Sequence, residues 1–222
     1  PNSVGNDARI LEAVVHQLEA EGYCVHVCSE DDFVEADLCA PMVFGMYRKE
    51  ETLRYLQRLE KKHGTVVLNT PEGIANCRRA PLLRIMEQHD IPQPESAIVD
   101  VNKAEFPIAF PCWMKRAGGN SMEKGDVAYV STQSKAETAL KEFRGRGIRK
   151  VLLSEHLKGD LVKFYGVVGT PFFYSFYPTA TDYSKFGLEK HNGKPKGHLY
   201  DEACLHRTVT RLAMAAGIQV YG

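Results

Sequence analysis

The chain has no surplus charge of either sign. Lys plus Arg number 28 and Asp plus Glu number 28, so the formal net charge is zero. With no global field to draw in nucleic acid or an anionic membrane surface, neither is expected as a partner. The sequence also lacks an apolar run of about eighteen residues and a signal peptide, so no segment reads as a membrane span or a secretory leader. Cysteine is present without the pairing that a metal needs. Among Cys24, Cys28, Cys39, Cys77, Cys112 and Cys204, only Cys24 and Cys28 stand close together, in what reads as a strand. No second Cys or His pair follows at zinc spacing. No metal ligands are assigned, and the cysteines inside apolar runs are expected to be reduced core thiols of a cytoplasmic protein. Missing motifs narrow the chemistry further. There is no Walker A loop, and no dinucleotide fingerprint opens a helix, which ranks a nicotinamide-binding protein last. No nucleophile motif accompanies His156 or any cysteine, so a serine or cysteine hydrolase is not expected. No internal repeat or low-complexity tract is visible.

What is there is a globular composition, 44% hydrophobic and 25% charged over 222 residues, enough for one large domain or roughly two to three small lobes. Asp7 is expected to cap a helix with Ile10, Leu11, Val14, Val15 and Leu18 inward and Gly22 as its stop. Residues 23–28 alternate like a strand, and residues 43–46 read as another. Residues 50–63 predict a charged helix with Leu53, Leu56 and Leu59 inward, stopped by Gly64. Residues 65–69 form a buried-type strand. Helix, strand, helix and strand at this spacing predict a small α/β domain with a parallel sheet over residues 1–70.

Thr70 and Pro71 then start a helix as cap and first helical residue. A second helical stretch holds Leu82, Leu83 and Met86, and Ile91, Pro92, Gln93 and Pro94 make a stiff extended connection. Residues 71–155 read on as strand, strand, glycine-containing loop, strand, helix and strand. The helix is expected to open with a capping box, Ser134 to Glu137, and to end near Gly145. Residues 156–222 begin with a hairpin, strands over 161–168 and 171–177, whose Gly169 and Thr170 suit a II′ turn. Pro171 can open its second strand. A polar segment, 179–200, leads to a helix capped by Asp201, reaching Ala216 and stopped by Gly217. The chain begins in what reads as a loop and stops in what reads as a strand just begun, so neighbouring segments are expected on both sides.

Lys115 carries the first chemical signal. It lies in the apolar strand Pro111, Cys112, Trp113, Met114, Lys115, where period two puts Trp113 and Lys115 on one face and Cys112 and Met114 on the other. A half-buried ammonium needs an anionic partner, and phosphate would serve; a strand-end lysine snorkelling to water has the same pattern. The residues that follow, Gly118, Gly119, Asn120 and Ser121, let backbone N–H groups approach phosphate oxygens, or form a plain hairpin loop. Glu155 ends an apolar strand and could accept from an adenine amino group, with His156 and Leu157 beside it offering backbone groups. Asp160 could accept from a ribose hydroxyl; the two acids equally suit a solvated turn. Lys163 is a second lysine in an apolar strand, with Leu161, Tyr165 and Val167 on its face, and a lysine guarding an edge strand looks alike. Arg78 and Arg79 stand at a helix start, where their charge opposes the helix dipole and an anion would relieve the conflict. Lys185, Lys190, His191, Lys194 and Lys196 fall in the polar segment, as acidic-substrate contacts or as a solvated loop.

The order and spacing of these parts resemble the ATP-grasp superfamily. Asn69-Thr70-Pro71-Glu72-Gly73-Ile74 resembles the family's approach to its nucleotide region. Arg79 falls thirteen residues before Pro92, where many members have a phosphate-binding lysine. Ile91-Pro92-Gln93-Pro94 resembles a Gly-Ile-Pro-x-Pro segment, with Asp90 in place of Gly. Met114-Lys115 resembles a Val-Lys-Pro strand, with Arg116 in place of Pro. Ser154-Glu155-His156-Leu157 resembles the hinge Gln-Glu-Phe-Ile, and Gly159-Asp160-Leu161-Val162-Lys163 resembles Gly-x-Asp-Ile-Arg. The likeness covers roughly residues 65–222. It implies an α/β chain with α+β lobes: an N-terminal parallel α/β domain (1–70), an ATP-grasp subdomain with the Lys115 strand (71–155) and a second ATP-grasp subdomain (156–222).

The same resemblance implies roles. Arg79, Lys115 and Lys163 would meet phosphate charge, with Gly118, Gly119, Asn120 and Ser121 covering the phosphates. Glu155, His156 and Leu157 would hold adenine, Asp160 the ribose, and Lys185 and Lys190 the substrate. The cofactors would be ATP and Mg2+, with the metal-binding strands expected beyond Gly222. The leading expectation is an ATP-dependent carboxylate–amine or carboxylate–thiol ligase acting on a small-molecule or peptide carboxylate through an acylphosphate. The alternatives are an ATP-dependent kinase of a polyanionic small molecule, such as an inositol phosphate, and a nucleotide-binding module without catalysis.

Overall fold

A computed structural model describes residues 2–103, 105–118, 124–177, 191 and 196–222, with side chains from residue 8 onward except that of Lys124. The chain forms two compact units, Pro1–Ile74 and Ala75–Gly222.

The first unit runs α1 (Asn2–Ala20), α2 (Glu30–Glu35), β1 (Met42–Phe44), α3 (Glu50–His63), β2 (Val66–Leu68) and into α4 (Pro71–Asn76). β1 and β2 pair in parallel, with Val43 opposite Val67. Leu53, Leu56 and Leu59 of α3 are buried at helical spacing with Phe33, Tyr55 and Val67. Gly64, at φ 67°, ends the helix in the left-handed region, its N–H donating to the Glu60 carbonyl. Thr70 caps α4, its Oγ1 accepting from the Gly73 N–H at 3.0 Å.

Two expectations for this unit are corrected. Asp7 does not start a helix, because α1 already runs from Asn2. Residues 23–28 form no strand: Tyr23 and Val27 are exposed, and alternation makes a strand only where another strand offers its backbone groups. α2 was not anticipated; Ser29 caps it by accepting from the Asp32 N–H. The cysteines are likewise not core thiols as a group. All six are free, yet only Cys112 is buried, while Cys24, Cys28, Cys39 and Cys204 are exposed.

The second unit begins with α5 (Arg79–Gln88) and builds a four-stranded sheet from β3 (Ser96–Asp100), β4 (Cys112–Arg116), β5 (Val127–Val130) and β6 (Lys150–Glu155). The order is β3-β6-β4-β5, every pair antiparallel. α6 (Gln133–Gly145) packs Ala136, Ala139, Leu140 and Phe143 with Cys112, Met114, Val130, Val151 and Leu153 of the sheet. Its cap is Thr132, which accepts from the Lys135 N–H, two residues before the expected Ser134.

A three-stranded sheet, β8-β7-β9, follows, from β7 (Lys163–Val167), β8 (Phe173–Phe176) and β9 (Val220–Tyr221), with α7 (Glu202–Ala216) before β9. Phe173 stacks on His206 of α7 with ring centroids 4.3 Å apart, and Tyr221 meets Thr210 through their hydroxyls. Asp201 caps α7 and Gly217 ends it. The hairpin turn differs from the II′ expectation: the Thr170 N–H donates to the Val167 carbonyl. This puts Gly169, at φ 79°, at the second central position, where a type II turn needs glycine. Among the described residues, no helix is long and apolar enough to cross a membrane.

Candidate functional site

The strand register builds the site. Trp113 sits opposite Tyr129, and Lys115 opposite Val127 and Leu152, so Trp113, Lys115 and Tyr129 share the face turned away from α6. Lys115 is half-buried, and its ammonium makes no hydrogen bond or ion pair among the described residues. Burial, and then the positive charge of Arg79, push its pKa below the usual lysine range. Arg79 is the first residue of α5, and its Nη1 donates to the Arg116 carbonyl, next along β4 from Lys115. Burial works against the charge of Arg79 as well; Asp126 supports that charge and Arg116 opposes it. Helix α5 thus brings one cation to a strand that carries another, although they stand 36 positions apart in the chain. Desolvated cations brought together repel, and a dianion between them would offset that repulsion.

Beside this pair lies an aromatic cluster. Trp113 Nε1 donates to His156 Nδ1 at 3.1 Å, which fixes the neutral His156 as the Nε2–H tautomer. Trp113 and Tyr129 meet edge-on at 5.1 Å, and His191 stacks on Tyr129 at 4.0 Å. At the end of β6 the Glu155 N–H donates to the Glu95 carbonyl at 2.8 Å. The Glu155 carboxylate accepts from the Glu95 N–H at 3.3 Å. Leu157 is exposed. Asp160 accepts from the Lys196 and His198 N–H groups at 2.8 and 2.9 Å, and these bonds, Lys196 first, hold its carboxyl below the usual carboxylate range. In this arrangement the carboxylate ties down residues 196–198.

Lys163 lies on the other sheet, opposite Phe176. It shares a face with Tyr165, Tyr174 and Phe176, whose rings stack at 6.2 and 5.4 Å. Gly118 is exposed with open space around it. Gly119, Asn120, Ser121, Lys185, Lys190 and Lys194 lie outside the described residues. Sequence reasoning brought Arg79 and Lys115 forward but passed over Tyr129, Asp126 and Arg146. Tyr129 was accessible from period two, since it alternates with Ala128 and Val130. The other two carried no signal, because an acid before a strand looks like any turn residue. Among the described residues no group of three or more His, Cys, Asp or Glu side chains stands together to hold a metal.

No protein-family model matches the chain, and no curated protein matches it. Solved structures do. D-alanyl-alanine synthetase A from Vibrio cholerae is 16% identical with a TM-score of 0.57, over 81% of this chain and 60% of that one. The ATP-grasp ligase PsnB, complexed with a minimal precursor, is 16% identical with a TM-score of 0.59, over 96% of this chain and 81% of that one. The RimK domain protein ATP-grasp from Sphaerobacter thermophilus is 18% identical with a TM-score of 0.55, over 89% of this chain and 81% of that one. This chain thus spans less than two thirds of the Vibrio cholerae enzyme.

Proposed function

We propose that this chain, which has the ATP-grasp fold, binds ATP on the open face of its four-stranded sheet and serves an ATP-dependent carboxylate–amine or carboxylate–thiol ligase. The observation that carries this reading is the pair Arg79 and Lys115, two cations desolvated at one place, Arg79 anchored to the carbonyl next to Lys115 and disfavouring its charge. The β- and γ-phosphates of ATP would give Lys115 an anionic partner and add charge-assisted hydrogen bonds from Arg79. The backbone at Glu155, His156 and Leu157 would meet the adenine edge. Trp113 and Tyr129 supply flat apolar surface nearby. Lys163 and the tyrosines of its sheet would add charge and stacking area.

In this reaction a substrate carboxylate attacks the γ-phosphorus and ADP leaves, giving an acylphosphate. An amine or thiol then displaces inorganic phosphate from the acyl carbon. Arg79 and Lys115 neutralise phosphate charge as it shifts to the leaving group, a positioning and electrostatic role. A divalent cation bound with the nucleotide would supply further charge neutralisation. Among the described residues no three His, Cys, Asp or Glu side chains stand together to hold it, and no step here is routed through it. The substrate class is a small-molecule or peptide carboxylate; PsnB, one of the structural neighbours, is bound to a precursor.

The test begins with titration calorimetry of ATP into the chain, followed by an assay of candidate carboxylate and amine pools for products. Binding, with inorganic phosphate released only when both substrates are present, is the expected result. Transfer of labelled γ-phosphate onto a stable product would instead identify a kinase. No ATP binding would remove the site.

A further inference from the structure

A carboxylate lies buried where the glycine-containing connection returns to the four-stranded sheet. Asp126 is 0% exposed and closes the 3-10 turn Lys124–Asp126 that leads into β5. An acid at that depth needs a cation. It is ion-paired with the guanidinium of Arg146, from the turn after α6. The sequence leaves room for this pairing: a Cβ added at Gly125 would lie 2.7 Å from Arg146 Nη1, so only glycine leaves the guanidinium its place. The same carboxylate supports the charge of Arg79 against burial, and Arg79 is anchored to the Arg116 carbonyl beside Lys115. Val127, next after Asp126, pairs with Lys115 across the antiparallel β4–β5 pair, so Asp126 and the Arg116 carbonyl that holds Arg79 stand at one end of that pair.

We infer that Asp126 is a positioning residue for the phosphate site: clamped by Arg146 across Gly125, it fixes the start of β5 and provides the negative charge against which Arg79 is set beside Lys115. The inference rests on the nucleotide reading above. Asp126 would repel a phosphate it touched, so its effect passes through Arg79. A cation already held in position reorganises little when the anion arrives, which is where its binding strength comes from. Desolvated charges interact more strongly than solvated ones, so loss of the carboxylate would leave Arg79 both less favoured and less fixed.

Three variants of the full chain test this: Gly125→Ala, Arg146→Lys and Asp126→Asn. ATP and adenosine are titrated separately into each, and each is melted. Gly125→Ala meets only the far end of the Arg146 side chain, so it displaces the guanidinium without a backbone clash, and the melt reports whether the fold is kept. The expected result is an ATP affinity about threefold or more weaker in Gly125→Ala and Arg146→Lys, and weaker still in Asp126→Asn. Adenosine, which lacks phosphates, should bind all of them like the wild type. Equal losses for ATP and adenosine would make the cluster merely structural and overturn the inference. Unchanged ATP binding in folded Gly125→Ala and Arg146→Lys would also overturn it, whether or not Asp126→Asn folds. A wild type that binds neither ligand would fail the nucleotide reading first, and the inference with it.

Discussion

One face of the four-stranded sheet carries Cys112, Met114, Val130, Val151 and Leu153, all at most 2% exposed and packed with α6. The opposite face carries Trp113, Lys115 and Tyr129, half-buried, with a guanidinium held at the same strand. The two faces are made from alternate residues of the same strands, yet they answer to different physics. The first is governed by volume, because every methylene there has partners on all sides. The second is governed by charge, because it keeps Lys115 partly desolvated where no anion among the described residues pairs with it. The proposed ligand site rests on the second face because a fold optimised for stability alone would not leave such a residue there.

The largest expected effect falls on the packed face. Leu153→Ala should cost about 2–5 kcal/mol in urea unfolding, from lost transfer energy and the cavity left behind. A cost under about 1 kcal/mol would mean that this face is not the core. Next comes Lys115→Ala, which should weaken ATP about tenfold or more, equivalent to ~1.4 kcal/mol. The fold should be unharmed or slightly stabilised, since a desolvated cation is removed. Full ATP affinity in this variant would dissolve the contrast between the faces.

A third effect depends on pH. The pKa of Lys115 lies below the usual lysine range because of burial and Arg79, and phosphate binding needs its charged form. ATP affinity should therefore decline as pH rises through that lowered pKa, at a lower pH than an ordinary lysine would give. Lys115→Arg should shift the decline upward, and a profile identical to the wild type's would assign it to another group. The smallest effect is that of Trp113→Phe, which removes the donor to His156 Nδ1. It should cost about 0.5–1.5 kcal/mol in unfolding. A loss as large as that of Leu153→Ala would show both faces to be equally packed.

Much of this contrast could be read in advance. Alternation through Cys112, Trp113, Met114 and Lys115 separates the faces without coordinates, because the side-chain period of a strand is fixed. Leu53, Leu56 and Leu59 gave α3 in the same way, and Asp201 and Gly217 gave the limits of α7. Residues 23–28 were misread because their alternation has no strand to answer it. Asp126 and Arg146 were missed because they stand twenty residues apart and meet only through the path of α6. Thr132 rather than Ser134 caps α6 because the cap is set by where the chain turns, and several hydroxyls were available.

The order of its side chains alone determined which residues of β4 alternate into a core and where α3 and α7 start and stop, since those follow from local periodicity and local hydrogen bonding. Which distant charges share one place was decided only by the tertiary structure. Arg79 beside Lys115, and Asp126 under Arg146, depend on strand order and helix packing, and Coulomb energy depends on distance in space.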